Sequence, residues 1–423
     1  MGVDSLGWLL VWQGTVCTPE TVWPEGFVLI RNREIADLGP SQELPDWVDV
    51  VNQRVGKSSD TEEELPREQC EPLQIVNAKG RYVTPGLIDI HIHGAMGYDV
   101  MEADGRGLAR MAQGLASFGT TAFVPTTVSA SLEEMQRVMA AASQLDEVAG
   151  LDNTAEPLGY HVEGPYINIK RKGAHEPSVI RDPKVAELKS LVDLAGAKLL
   201  TITLAPELPG AKEAISWLRE QGIAVSLGHS TAEWSCVTNA ISQGARRCTH
   251  LYNGMEPLHH RQPGLVGAAL SDDRMVAELI VDNVHVELPV VDLTIKSKGW
   301  QRIALVSDGM QAVGLADGKY ELGDLVVYVQ DGACRLADGT IASSTVTLDR
   351  SVRILVQQLG ISFQQAVAMA SLVPAQTIGV SHRKGELAAG KDADLVIWDR
   401  ESLVVEEIVL RGTYYPVEEV LNQ

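Results

Sequence analysis

The chain has 423 residues, a formal net charge of −21, and 45% hydrophobic against 22% charged residues. This length exceeds one ordinary core, so a large domain with a smaller companion is expected. The negative charge argues against nucleic acid or an anionic membrane surface as partner. No apolar run is long enough to span a bilayer.

The apolar start over residues 7–12 lacks a basic n-region and a small-residue cleavage site, so it reads as a strand rather than a signal peptide. Short strands with turns follow over 26–33 and 35–38. Residues 41–71 are rich in Ser, Asp, Glu and Pro and read as an exposed acidic excursion. Order resumes at 73–76. Leu87-Ile88-Asp89-Ile90-His91-Ile92-His93-Gly94 is then a short apolar run bounded by glycines, a buried strand. His91 and His93 are two apart and share a face of it, placed to grip one metal ion.

From there strands and helices alternate. Helices are expected over 105–118, over 131–143 (opened by a Ser131/Glu134 capping box), from Asp182-Pro183 as N-cap and N1, and over 211–220 and 232–243. Strands are expected at 120–126, 158–163, 199–204, 223–228, 247–251, 276–281 and 303–308. Counted from Leu87 that makes eight strands in a β-α rhythm, the pattern of a (β/α)8 TIM-like barrel, with a doubly wound sheet as runner-up. Helices over 348–358 and 363–370 precede a strand-patterned tail. The organisation predicted is residues 1–84 and 381–423 forming one small β-sandwich, with the barrel over 85–380. The cysteines Cys17, Cys70, Cys236, Cys248 and Cys334 are scattered with no C-x-x-C, which fits a reducing, cytoplasmic setting.

In such a barrel the active site lies at the C-terminal strand ends. Glu163, His229, His250 and Asp308 end or follow four of the other strands. Together with His91 and His93 they are four histidines and two carboxylates at five strand ends. Imidazoles with carboxylate suit zinc or iron rather than magnesium. Such an ion lowers the pKa of water to about 7. Asp308, at the last strand, is the candidate to carry the water's proton to a leaving group.

The motifs His161-Val162-Glu163-Gly164-Pro165-Tyr166, Lys172-Gly173-Ala174-His175, Leu204-Ala205-Pro206-Glu207, Gly228-His229-Ser230 and Thr249-His250-Leu251-Tyr252-Asn253-Gly254-Met255 resemble the N-acetylglucosamine-6-phosphate deacetylases of the amidohydrolase superfamily. Arg261-Gln262-Pro263-Gly264, Asp282-Asn283-Val284-His285 and Ser307-Asp308-Gly309 continue the match in family order, to about Asp399. The tail from Lys384-Gly385-Glu386-Leu387 to Asp399 is similar to the segment closing the small sandwich in the wider superfamily.

The resemblance implies Glu163, His229 and His250 as ligands of a divalent metal. It implies Asp308 as acid/base and His285 as the group that binds and polarises the acetamide carbonyl. Asn253, Gly254 and Arg261 would bind the phosphate, Arg261 from a neighbouring subunit of a homodimer, and His175 would contact sugar hydroxyls. Many members carry Gln and Asn where this chain has His91 and His93, and bind one ion. The histidines resemble the binuclear members, in which Glu163 bridges two. Gly254 stands where alanine is frequent.

The implied reaction is hydrolysis of N-acetyl-D-glucosamine 6-phosphate to D-glucosamine 6-phosphate and acetate, in amino-sugar catabolism and cell-wall sugar recycling. The galactosamine isomer is an open alternative. So is a dihydropyrimidinase-like cyclic amidase, although those bridge their ions with a carboxylated lysine where this chain offers Glu163. A silent scaffold would have lost ligands or the base, and here the whole set is present.

Overall fold

The computed structural model of the protein describes residues 7–45, 48 and 73–421. Apart from residues 41–45 and 48, the acidic excursion expected at 41–71 lies outside the described residues.

Eight parallel strands form the barrel: Leu87–Ile92, Thr120–Thr127, Tyr160–Glu163, Leu199–Leu204, Ala224–Leu227, Arg247–Cys248, Val276–Leu279 and Ile303–Leu305. Each pairs with the next in chain order. All six residues of the first strand are buried, as a strand covered on both faces requires. Gly86 lets that strand approach the second, because a Cβ there would collide with the Thr121 side chain. The last strand closes on the first through Asp308 N–H to His91 O (2.9 Å) and His93 N–H to Gly309 O (2.7 Å). The closure therefore sets Asp308 beside the two histidines.

Helices cover the outside between strands, with Leu348–Leu359 following the last. Leu132–Ala140 opens on the expected capping box, Ser131 with Glu134. The helix expected from Asp182-Pro183 starts later, as Val185–Ala195 with Lys184 at the N-cap. Arg181 is turned inward to Glu187 and to the carbonyls of Ala130 and Val179, which keeps the preceding segment extended. Among the described residues no helix is long and apolar enough to cross a membrane.

Both ends of the described chain contribute to a separate eight-stranded sheet. In it, Tyr82–Pro85 pairs antiparallel with Leu395–Trp398, so the segment entering the barrel lies against the segment that follows it. Leu9, Val28, Val83, Leu395 and Val409 are among the residues of its own core, while Val396, Trp398 and Ile408 join the barrel's core. Trp398 Nε1–H donates to Thr84 Oγ1 across that join (2.8 Å). Lys384 is buried there against Glu156 and Asp392 (2.9 and 2.8 Å) and against Asp394.

An antiparallel meander, Gly318–Leu322, Leu325–Gln330, Ala333–Arg335 and Ile341–Ser344, follows the eighth barrel strand and has no counterpart in the sequence reading. Its apolar side packs Leu322, Val327, Val329 and Cys334 on Val128, Ala174, Met310 and Ala312. Those contacts seat it over the C-terminal mouth of the barrel.

Candidate metal centre

Every barrel strand that carries a predicted ligand delivers it to this mouth. Three of these residues, His229, His250 and Asp308, have left-handed backbones with φ of 47°, 30° and 50°. Non-glycine residues in that region are strained by on the order of 1–3 kcal/mol each, and such strain gathers at functional sites. Here it turns the side chains across the barrel axis where each strand stops.

Two groups of ligand atoms result, His91 with His93 and Asp308, and Glu163 with His229 and His250. Within each group the donor atoms lie within 4.8 Å of one another, and all six residues are buried. In the first group His93 Nε2 is 3.3 Å from His91 Nε2 and 3.1 Å from Asp308 Oδ1. In the second His229 Nε2 and His250 Nε2 are 3.0 Å apart. Glu163 stands between the groups. Its Oε1 is 3.1 Å from His229 Nε2 and 2.9 Å from His250 Nε2, and its Oε2 is 3.3 Å from His93 Nε2 and 3.5 Å from His91 Nε2. One carboxylate thus offers an oxygen to each group.

Three of the four imidazoles are oriented as metal ligands require, with the outer nitrogen engaged so that the inner one presents its lone pair, while His250 Nδ1 has no partner among the described residues. His91 Nδ1 faces Glu278 Oε2 (3.0 Å), His93 Nδ1 faces Thr126 O (3.1 Å) and His229 Nδ1 faces Arg171 O (2.8 Å). The residues present therefore fit a pair of divalent ions by donor type, tautomer and burial. Gly254 packs on His229, where a Cβ would lie 2.8 Å from Nδ1.

The charges agree. Burial opposes the ionised form of Glu163, but the surrounding histidines hold its carboxyl well below the usual range. Asp308 is likewise brought down to about 2, burial being outweighed by His91 and His93. Burial favours neutral His93, yet Asp308 and Glu163 raise it to about 9. Two carboxylates stripped of water draw positive charge into this space, which is what a dication supplies.

The other predicted residues divide. His93, Glu163, His175, His229, His250, Asn253, Gly254, His285 and Asp308 line one cleft of about 190 Å³, roofed by Leu322 and Ile341 of the meander. His175 Nδ1 accepts from Ser129 N–H (3.1 Å), so its proton sits on Nε2, 3.7 Å from Glu163 Oε2. Burial pushes His175 down to about 3, leaving a neutral donor. His285 Nδ1 is held by Asp282 Oδ2 (2.7 Å). His161 turns into the barrel interior, its Nε2 2.7 Å from Thr203 Oγ1. Arg261 is not brought to the cleft. It is exposed and lines a separate cavity with Trp234, Glu256 and His259.

Sequence reasoning assigned nothing to Glu278 or Asp282. Glu278 carried a signal, as the lone acid inside the apolar run Val276 to Val281. Asp282 stands three residues before His285 in a motif already singled out, with its own Oδ1 taking the backbone N–H groups of Val284 and His285. An adjoining cavity of about 300 Å³ shares His175 and Leu322 with the cleft and is lined by Asp99, Glu102, Glu134, Glu176, Glu321 and Asp324.

Comparison with known proteins places this geometry. The Amidohydrolase family profile matches residues 82–419. The chain is 41% identical over 314 residues to an N-acetylglucosamine-6-phosphate deacetylase of Vibrio furnissii, covering 74% of this chain and 77% of that one. It is 38% identical over 341 residues to an N-acetylgalactosamine-6-phosphate deacetylase of Escherichia coli O157:H7, covering 81% and 89%. Among solved structures it superposes with a TM-score of 0.84 at 30% identity on a mutant N-acetyl-D-glucosamine-6-phosphate deacetylase of Mycobacterium smegmatis in complex with N-acetyl-D-glucosamine 6-phosphate, covering 96% and 99% of the two chains. The Pasteurella multocida deacetylase superposes with a TM-score of 0.85 at 28% identity, covering 97% and 100%.

Proposed function

Because the chain belongs to the amidohydrolase family, and within it to the N-acetylglucosamine-6-phosphate deacetylases, we propose that its cleft hydrolyses the acetamide of N-acetyl-D-glucosamine 6-phosphate, releasing acetate and D-glucosamine 6-phosphate. The observation that carries this is the meeting in one cleft of His93, Glu163, His229 and His250 with Asp308 and His285.

Glu163, His229 and His250, and His91, His93 and Asp308, would hold divalent ions, zinc or iron, which when bound would supply Lewis-acid chemistry for the acetamide and lower the pKa of water. Asp308, ionised at neutral pH, takes the water's proton and returns it to the departing amine. His285, oriented by Asp282, donates from Nε2 to the carbonyl oxygen as negative charge develops there. His175 donates its Nε2 proton to a sugar hydroxyl. The phosphate lies on the Asn253–Gly254 side, because the acidic lining of the adjoining cavity repels it from the other.

Arg261 serves the phosphate of a neighbouring subunit in a homodimer. Its exposure outside its own cleft supports that reading, and guanidinium pairs with phosphate through two parallel hydrogen bonds. A cytoplasmic setting agrees with the free thiols of Cys17, Cys236, Cys248 and Cys334.

The galactosamine isomer is a second reading, favoured by the 38% identity to a deacetylase of that sugar. Metal-loaded protein is assayed with both 6-phosphorylated N-acetylamino sugars and with unphosphorylated N-acetylglucosamine. The higher kcat/KM is expected for N-acetylglucosamine 6-phosphate. Preference for the galactosamine isomer would reverse the assignment, and equal turnover of the unphosphorylated sugar would remove the phosphate site.

A further inference from the structure

We propose that Glu278 is the positioning residue that makes His91 a ligand, and that the Glu278–Arg247 pair inside the barrel underlies the second ion site. The inference rests on the two-ion reading above.

Glu278 lies within the seventh barrel strand, Val276–Leu279, and is completely buried. Its Oε2 is 3.0 Å from His91 Nδ1. An imidazole nitrogen facing a carboxylate carries the proton, so His91 Nε2 must present its lone pair. That nitrogen points at His93 Nε2 (3.3 Å) and Asp308 Oδ1 (3.4 Å). The same Oε2 also accepts the backbone N–H of His250 (3.4 Å), a ligand of the other group. A single oxygen atom therefore holds one histidine from each group.

Arg247 sits on the neighbouring sixth strand, 1% exposed, with its Nε 3.5 Å from Glu278 Oε1. None of its three guanidinium nitrogens, nor Glu278 Oε1, has a hydrogen-bond partner among the described residues. A buried ion pair with so little hydrogen bonding is a poor way to stabilise a core, and apolar residues of similar volume would serve at least as well. What the carboxylate provides that an apolar side chain cannot is an acceptor for His91. Arg247 supplies the opposite charge that lets the carboxylate stand there.

The test is titration of metal-free protein with Zn²⁺, read as bound equivalents and stepwise affinity, on wild type, Glu278→Leu, Glu278→Gln and the double variant Arg247→Met with Glu278→Leu. The double variant replaces the pair by apolar volume and guards against misfolding, which circular dichroism checks. Wild type is expected to take up two ions. In Glu278→Leu and in the double variant the weaker ion is expected to lose affinity by about 10- to 100-fold, and the tighter ion, whose His250 loses only a 3.4 Å backbone contact, by much less. Glu278→Gln retains an acceptor oxygen and should recover part of the loss. If the pair were only structural, the folded double variant would bind both ions as wild type does, and that result would overturn the inference alone. Wild type that never exceeds one equivalent would overturn the two-ion reading and this inference with it.

Discussion

Asp282 grips His285 on two sides: Oδ2 is 2.7 Å from the ring Nδ1, while Oδ1 accepts the N–H groups of Val284 and His285 itself. Burial opposes a charge on Asp282, but the His285 partnership brings its carboxyl below the usual range. An aspartate so placed fixes the plane of the His285 ring and engages Nδ1, leaving Nε2 for the cleft.

Replacing Asp282 by Asn tests this. The amide oxygen would stay with the two backbone donors and its NH₂ would face Nδ1, removing the carboxylate from the ring. The ring stays in place without its carboxylate partner, so kcat should fall by about 10- to 100-fold rather than vanish. KM and metal content should stay near wild type, since Asp282 belongs to neither ligand group. Unchanged kcat would show that the Asp282 carboxylate does not matter to His285.

Asp308→Asn separates proton transfer from ion binding. Asp308 shares a group with His91 and His93, whereas Glu163, His229 and His250 form a set without it. The variant should keep the ion of the second set and lose about 10²- to 10⁴-fold in kcat, the usual contribution of a general acid–base. Measuring metal content beside turnover checks both halves. A variant retaining wild-type kcat would remove Asp308 from the chemistry.

The barrel was legible because its period is strong. Apolar runs separated by amphipathic stretches fall where the eight strands fall, and the ligands stand at their ends. The meander was missed although its signals are present: Leu325 to Gln330 alternates buried and exposed residues, and Asp331-Gly332 and Asp338-Gly339 are hairpin turns. It interrupts the β-α rhythm that guided the reading. Glu278 was missed for a different reason. Its role depends on a residue 187 positions away, and no local pattern encodes such a contact.

The docking of that meander can be read from thiol reactivity. Burial pushes Cys334, within the meander, and Cys17, in the terminal sheet, up to about 12, and raises Cys248 further. Cys236 is only half-buried on the helix Trp234–Gln243. Among the cysteines of the described residues, a maleimide applied to native protein should modify Cys236 first, with Cys17, Cys248 and Cys334 protected until unfolding. Peptide mass spectrometry gives the order. Modification of Cys334 as early as Cys236 would mean that the meander opens readily over the cleft.

The charge cluster joining the terminal sheet to the barrel makes a prediction about acid stability. Glu156 precedes the third barrel strand and meets Arg383 (2.6 Å) and Lys384 (2.9 Å). Burial alone would raise its carboxyl, but these two cations lower it from 4.5 to about 2. A carboxyl depressed in the folded state contributes stability that is fully present above pH 4.5 and is lost as the pH falls through 2. The shift corresponds to about 3 kcal/mol. Lys384 is raised above 10.5 by Asp394, Glu156 and Asp392, so its share is intact throughout this window and fades only in strong alkali. Urea unfolding of wild type and Glu156→Gln should therefore differ by about that amount at pH 7 and converge as the pH is lowered from 4.5 toward 2. A difference that is the same at pH 7 and pH 3 would assign the loss to packing of the glutamate rather than to its charge.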